Sequence, residues 1–573
     1  MKRRIWYLAL LMAVWGLYGF LLSGWWYSDD PEIIAFAAGH SPSEFLFKPH
    51  TWQSFSPFNL VPWILMSLKI DVMLADFTPY FYYLHQLMAL SVVAMALFAV
   101  LNLYVERKFL SFAGVLIFLL HPATLGVVSW ISTRQYLEGL GFALFGIYFY
   151  LTGLHSRKFQ LIYISTLFYA FAVISKEIYV PLPLLLILLP RTTAGQGLPE
   201  AGLKTRIQNA LPLFIMGGLY MIYRAWMLGD NAAGGYSSIW PWTVKSAALS
   251  TPEVFKAYSR TAWVYAVISP VLIWRIREIR GWKRRGAEMA RAVSIFALFY
   301  LPIMPVSPLW GGLLSLRYFF LTSLFVTLCY LLCLDSIFKN GGRLTHACLI
   351  SSLLFVVAVF SYNFHDQKLL WNSEKAQAYA EGKFFIQNRT RPDVVFKIGQ
   401  PHWFFDGLEK MESLESRDKE DRKIRLVTNE FYGFQNERKE GVFTPLRVFA
   451  YDRPGGAVID ITAAAVRTHE AFLKNVKDRP LEVDISMKKG ILNLQLGPYG
   501  GQYFILEASP EQTDFYYMAV KINRKFSIKL THREKVRVFC FAYTSPEGWT
   551  TVSPGFLVDR SKDQSIRWAR RDD

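Results

Sequence analysis

Two adjacent carboxylates, Asp29 and Asp30, head the set of residues able to do chemistry in this chain. They stand in the run WWYSDDPEIIAF, a few residues beyond an apolar stretch over residues 5–22. A carboxylate held at the edge of such a stretch can take the proton of an attacking hydroxyl. The local sequence also offers an architectural use. Asp30 before Pro31 reads as a helix cap with proline at the first helical position, and Glu32 favours the positive end of that helix. Asp29 has no such use, so the expectation of a general base rests on it.

Fixed cations form the second group. Arg134, Lys176, Arg224 and Arg317 each fall at or near the outer end of an apolar run. Singly, each is the kind of residue that snorkels to a membrane interface. Together, at one depth and on one side, they read as a pocket for a phosphate at headgroup level. Arginine brings a planar fork to phosphate oxygens and lysine a point charge. His121, before Pro122, either caps a helix end or bonds a sugar or phosphate. Glu177 either neutralises Lys176 in a tight turn or orients it towards substrate. Glu32, Trp52 and Tyr318 complete the substrate-loop candidates. Trp25, Trp26, Tyr27, Trp52, Trp130, Trp240, Trp242 and Trp310 read as an aromatic belt, with some free to stack on sugar rings.

The elements that must position these residues are membrane spans. The chain has 573 residues, 53% of them hydrophobic, and the excess lies in the first two thirds as long apolar runs. Runs over residues 5–22, 84–104, 109–129, 137–154, 159–174, 178–190, 208–228, 262–274, 292–306, 318–337 and 344–362 predict about eleven spans. The basic end MKRR marks the first as an uncleaved span with its N-terminus in the cytoplasm. Sixty-two basic against 44 acidic residues give a net charge of +18. Threaded from that end, the loops carry most of their basic residues inside, as the positive-inside rule requires. That places the first large loop, residues 25–81, and the C-terminal tail on the extracytoplasmic side.

The tail reads as two parts. Residues 363–478 mix a helical segment over 371–387 with short strand-like runs, an α/β linker domain. Residues 479–573 alternate apolar and polar positions in LEVDISM, ILNLQLG, QYFILEAS, FYYMAVKI, FSIKLTH and VRVFCFAYT, a β-sandwich of immunoglobulin or fibronectin kind. Residues 1–362 would then be the catalytic membrane domain. Four cysteines supply neither a disulfide framework nor zinc spacing. The sequence holds no P-loop, no GxGxxG after a strand, no HExxH and no CxxC.

A set of short words in fixed order resembles the GT-C superfamily of membrane glycosyltransferases. It is most similar to the protein O-mannosyltransferase-like branch that usually carries tetratricopeptide repeats. The words are YSDDPEIIAF, HPATLGVVSWISTRQYLEGL, ISKEIYVPLPLLLIL, YRAWMLG with Arg224, LRYFFL with Arg317-Tyr318, and Trp371 after the last span. The repeats of that branch are missing here. The resemblance implies a polyprenyl-phosphate sugar as donor and inverting transfer at the outer membrane face. The acceptor would be a hydroxyl on protein, lipid or glycan, with no nucleic acid involved. It also implies Asp29 as base, Asp30 as its partner or cap, and His121, Arg134, Lys176, Arg224 and Arg317 on the donor phosphate side. A divalent cation, Mg or Mn, is used by some relatives and would fall on Asp29 and Asp30. The expected setting is a bacterial inner membrane with a periplasmic tail.

Two readings from other classes compete. A transporter or flippase of lipid-linked sugars would show inverted repeats and charges at mid-membrane; here the charges collect at one face. A non-catalytic membrane scaffold would use the β-domain to bind glycan or protein.

Overall fold

Proline sets where many helices begin. The helices α3 (Pro42–Phe47), α4 (Pro49–Phe55), α5 (Pro62–Ala75), α6 (Pro79–Tyr104) and α8 (Pro122–Val128) each open on one. Proline lacks the N–H that a first helical residue leaves unbonded, and its φ is already helical. The segment expected as the first outer loop, residues 25–81, is therefore largely a run of short helices, opening on α2 (Asp30–Gly39) after α1 (Lys2–Tyr18) and a 3₁₀ turn over Gly19–Ser23. The remaining helices of the membrane region are α7 (Lys108–Leu120), α9 (Arg134–Ser156), α10 (Phe159–Ser175), α11 (Leu182–Leu188), α12 (Leu203–Leu228), α13 (Phe320–Asn340) and α14 (Arg343–Asn388).

This computed structural model describes residues 2–56, 59–188, 202–229, 317, 320–340, 342–416, 422–427, 447–475, 477–488, 491–509, 512–529, 536–553, 556–559 and 566–567. Two compact units divide the chain. The first comprises Met1–Trp26 and Phe36–Ser373, the second Tyr27–Ala35 and Glu374–Asp573.

Five helices among the described residues are long and apolar enough to cross a membrane: Arg4–Ser23, Pro79–Tyr104, Ile131–Ser156, Leu203–Leu228 and Thr345–Asn388. A sixth crossing results if the pair α7 and α8 is one span, bent by 62°. Pro122 is the cause, because it lacks an N–H and its ring clashes with the preceding turn. The expected eleven spans are thus not all met. The run over 159–174 is a 17-residue helix, short of a full crossing by length, and 178–190 yields a 3₁₀ turn and the seven-residue α11. The expected spans over 262–274 and 292–306 lie outside the described residues. The last predicted span does not stop at Tyr362. Its helix α14 runs 46 residues, roughly 69 Å at 1.5 Å per residue, more than twice the bilayer's apolar thickness of about 30 Å. No proline and a single glycine, Gly382, fall in that stretch, so nothing breaks the helix. The helical segment expected at 371–387 is its continuation.

In the first unit, α9 packs against α6 and α10. Gly139 lets α9 come close to the turn after α10: a Cβ there would stand 2.4 Å from the Tyr179 ring. The Tyr179 hydroxyl donates to the Tyr136 carbonyl at 2.6 Å. That bond fixes the N-terminal end of α9 against the Ser175–Tyr179 segment.

The second unit begins with a four-stranded sheet, order β2-β1-β3-β4, of β1 (Val394–Lys397), β2 (Arg425–Val427), β3 (Arg447–Asp452) and β4 (Ala457–Asp460). Strand β1 runs parallel to both β2 and β3, and β3 is antiparallel to β4. Helix α15 (His402–Ser416) makes the crossover from β1 to β2, and α16 (Thr462–Asn475) follows β4. The six alternating runs at the end of the sequence each form a strand: β5 (Glu482–Lys488), β6 (Ile491–Gly497), β7 (Gln502–Ser509), β8 (Gln512–Ile522), β9 (Lys525–Lys529) and β10 (Val536–Thr544). Strands β5, β6 and β9 make one sheet. The other holds β7, β8 and β10 with β11 (Thr550–Val552), β12 (Phe556–Asp559) and β13 (Ile566–Arg567). Leu494 and Leu496 of β6 share a core with Tyr503 and Ile505 of β7 and Phe539, Phe541 and Tyr543 of β10. Those residues recur at every second position, the period of a pleated strand with one face inward.

Candidate active site

The carboxylate pair sits in a tight turn. The Asp30 N–H donates to the Tyr27 carbonyl at 3.1 Å, and the Tyr27 N–H donates back to Asp30 Oδ2 at 3.0 Å. Ser28, inside the turn, has φ of +55°. This left-handed backbone is costly for a residue with a Cβ, and such strain gathers at functional positions. The first helical bond of α2 runs from the Ile33 N–H to the Asp29 carbonyl. Asp29 therefore stands at the cap position and Asp30 is the first helical residue. The expected cap is corrected: Asp29, not Asp30, holds the cap position, Pro31 is the second helical residue, and the Asp30 carboxylate reaches back to the Tyr27 N–H. Burial separates the two acids. Asp30 is fully buried, whereas Asp29 is half-buried.

This turn belongs to the second unit and is built into it. The Ser28 N–H donates to Gln400 Oε1 at 3.4 Å. Gln400 lies just beyond the carboxyl end of β1, the edge of a parallel sheet where α/β folds place ligands. The Gly399 and Gln400 N–H groups, at 3.1 and 2.9 Å, donate to the Glu381 carboxylate of α14. Gln377 Nε2 donates to the same carboxylate at 2.6 Å. Gly407 of α15 meets the start of α2 so closely that a Cβ there would fall 2.3 Å from the Glu32 nitrogen. Lys375 of α14 is also buried. Tyr27 is pushed up by burial first, then by the charges of Glu374, Asp30 and Asp29.

Asp30 Oδ2 is committed to the Tyr27 N–H. Among the described residues no three His, Cys, Asp or Glu side chains converge to hold a metal ion.

In the first unit, two of the expected cations gather at the N-terminal end of α9. The Lys176 ammonium lies 5.2 Å from the Tyr136 ring centre, and the Arg317 guanidinium 4.6 Å from that of Trp130. Aromatic faces hold cations by their quadrupole without cancelling the charge. Arg224, at the end of α12, instead ion-pairs with Glu177, whose Oε1 also accepts the Leu60 N–H at 2.7 Å. Glu177 thus engages Arg224 across the fold.

Arg134 is fully buried. Its guanidinium bonds Gln86 Oε1 at 3.0 Å, Ser67 Oγ at 3.2 Å, the Tyr82 carbonyl at 2.9 Å and the Asp71 carboxylate. Burial alone would raise the Asp71 carboxyl, but Arg134 and His85 outweigh it and hold it below its ordinary value. His85 Nδ1 stands 2.6 Å from Asp71 and Nε2 3.3 Å from Glu138. Glu138 also accepts from Trp63 Nε1 at 2.7 Å and Ser67 Oγ at 2.8 Å. The expected phosphate ligand is thus engaged by protein on Nε and both Nη atoms, and ties α5, α6 and α9 together.

Other expectations change in the same way. His121 is buried at the α7–α8 bend, where Nδ1 accepts the Ala123 N–H at 3.1 Å; it is a cap. Trp52 is fully buried, donating to the Asn59 carbonyl at 2.9 Å, and packs the outer loop. Trp26 and Trp130 are buried too, so neither is a lipid-facing belt residue. Tyr318, Trp240, Trp242 and Trp310 lie outside the described residues. Sequence reasoning missed Asp71, His85, Lys375, Glu381 and Gln400. Lys375 had one available signal, a lone cation one turn after Trp371, but it reads as an ordinary solvated helix residue.

No family model matches the chain, and no curated protein matches its sequence. Among solved structures it is similar to ArnT from Cupriavidus metallidurans bound to undecaprenyl phosphate, with 10% identity over 79% of this chain and 94% of that one, at a TM-score of 0.40. It is also similar to the Archaeoglobus fulgidus oligosaccharyltransferase in complex with zinc and sulfate, with 10% identity over 91% of this chain and 75% of that one, at 0.43. The archaeal oligosaccharyltransferase AglB from Archaeoglobus fulgidus, in complex with an inhibitory peptide and a dolichol-phosphate, gives 11% over 91% and 74%, at 0.42.

Proposed function

We propose that this chain is a membrane glycosyltransferase of the GT-C kind. In this reading it moves a sugar from a polyprenyl-phosphate donor to an acceptor hydroxyl at the extracytoplasmic face, with inversion. The observation that carries the reading is the carboxylate turn. The strained Ser28 and the Tyr27 N–H fix the buried Asp30 in the turn, with Asp29, of intermediate burial, at the cap beside it. A carboxylate held so has its direction set by the fold, the first requirement of a general base.

Asp29 takes the acceptor proton as the acceptor oxygen bonds to the anomeric carbon. The bond from that carbon to the phosphate oxygen breaks, and polyprenyl phosphate leaves with the electron pair. Of the expected donor-side cations, Lys176 and Arg317 are held on aromatic faces, the kind of fixed charge that a departing phosphate calls for. Arg134 and Arg224 act as scaffolding in this scheme, since each is engaged by a carboxylate. One carboxylate base and one displacement account for inversion without a covalent intermediate.

Purified full-length protein, offered a panel of polyprenyl-phosphate sugars, should transfer one of them to an acceptor identified by mass spectrometry. Asp29→Asn should fold normally and lose transfer by about 10²-fold or more. A variant that keeps wild-type turnover would sink the base assignment. Donor flipping without transfer, unaffected by Asp29→Asn, would favour a flippase.

A further inference from the structure

We infer that the Arg224–Glu177 ion pair is a positioning device for Lys176, the cation that handles the donor phosphate. The inference rests on the transferase reading above and gives two of its residues a part in donor handling. Lysine carries a point charge on a flexible four-carbon stem, so its effect on a phosphate depends on what holds its base. Lys176 lies in the short break between α10 and α11, where its backbone is extended. Downstream, the break is pinned at two places. The Tyr179 hydroxyl donates to the Tyr136 carbonyl at 2.6 Å, and the Tyr169 hydroxyl to the Val180 carbonyl at 2.9 Å. The ring of the same Tyr136 carries the Lys176 ammonium, 5.2 Å from its centre. One tyrosine thus anchors the break through its carbonyl and seats the cation on its face.

Glu177 supplies the hold next to the lysine. Its Oε1 accepts the Leu60 N–H at 2.7 Å and pairs with Arg224. Arg224 is buried, and a buried guanidinium stripped of its counter-charge is costly. Glu177 is therefore kept where Arg224 needs it. The last turns of α12 also grip the segment before α5. The Tyr220 hydroxyl donates to the Leu60 carbonyl at 3.3 Å, and the Met227 carbonyl accepts Gln53 Nε2 at 3.0 Å. Leu60 and Arg224, the two groups that Glu177 answers, thus belong to one bonded edge. Neighbouring Cα atoms are about 3.8 Å apart, so any shift of Glu177 passes to the base of Lys176. Losing the pair lets the lysine slide on the Tyr136 face or leave it. Arg224 and Glu177 are positioning residues in this account and act on the donor through Lys176.

The test is two double-mutant cycles on purified full-length protein: Lys176→Met with Glu177→Gln, and Lys176→Met with Arg224→Met. Donor kcat/KM is measured with the polyprenyl-phosphate sugar transferred best in the panel, alongside acceptor KM and inhibition by polyprenyl phosphate. Glu177→Gln keeps an oxygen for the Leu60 N–H and removes the charge that Arg224 meets. Glu177→Gln and Arg224→Met should each lose about fivefold in donor kcat/KM, a large part of what one charge-assisted phosphate contact gives, and polyprenyl phosphate should inhibit each less. Acceptor KM should not change. Each double variant should lose no more than Lys176→Met alone, because a lysine that is gone cannot be misplaced. Arg224→Lys, which keeps a cation for Glu177, should retain most of the wild-type value. Losses that multiply in the double variants overturn the inference, since pair and lysine then act independently. So does wild-type donor kcat/KM in Glu177→Gln or Arg224→Met. Should one of these two fail to fold, the cycle of the other decides. An impaired Lys176→Met beside multiplying losses sinks this inference alone. Lys176→Met at wild-type donor kcat/KM sinks the donor-side assignment and this with it, and a wild type that transfers no sugar from the panel sinks the transferase reading itself.

Discussion

Gly407 of α15 lies against the backbone of Glu32 at the start of α2, with room for a hydrogen and no more: a Cβ there would fall 2.3 Å from the Glu32 nitrogen and 2.5 Å from the Pro31 carbonyl carbon. The contact joins two segments of the second unit that are 375 residues apart in sequence (407 − 32). It makes the carboxylate turn part of the tail's architecture.

Gly407→Ala should therefore shift α2 and the turn that precedes it, since the obstructing atoms are backbone. Overpacking of this sort costs about 1–3 kcal/mol. The expected outcome is a lower unfolding midpoint together with a transfer loss larger than that of a substitution at exposed Trp403 on the same helix.

Lys176 and Arg317 should govern donor handling. Replacing either by methionine keeps much of its packing on the ring beneath and removes the charge. Each variant should lose about tenfold in kcat/KM for donor, as expected of one charge-assisted phosphate contact, with acceptor KM unchanged. Titrating donor against each purified variant checks this.

The Arg134 cluster should behave as structure. Asp71→Asn leaves a buried guanidinium without its counter-charge, a change of about 3–5 kcal/mol in stability. Thermal unfolding in detergent should show that loss. Variant protein that remains folded at low temperature should keep donor KM, because no phosphate contact has been removed.

Asp71 also sets an acid limit. Its folded pKa lies below the ordinary value, which is about 3.9 in an unfolded chain. The stability it contributes is complete above that unfolded value and is lost as pH falls through the lower folded one. The unfolding midpoint of wild type should drop on acidification below about pH 4. Asp71→Asn should lack that part of the drop.

The sequence disclosed its elements better than its pairings. Apolar runs foretold helices at α1, α6, α9 and α12, and alternation foretold β5 to β10, because both patterns are local. The halt expected at Tyr362 failed because hydropathy reports where a helix leaves an apolar medium, and helical propensity continues through Asn388. Asp29 and Asp30 were visible as a pair of acids, yet the turn that holds them is braced by Gln400 and Gly407, hundreds of residues away. Arg134 looked like a phosphate ligand for the same reason. Its position at a helix start is local information; Asp71, Gln86 and the Tyr82 carbonyl that occupy it are not. Side chains that compete for a cation leave no trace in its immediate neighbours.

The order of Arg134's partners along the chain bears on how the protein is made. Ser67, Asp71, Tyr82, His85 and Gln86 all precede it. When the ribosome delivers residue 134, each group that will surround its charge has already been synthesised. The guanidinium thus arrives after every group that bonds it directly, its counter-ion Asp71 included.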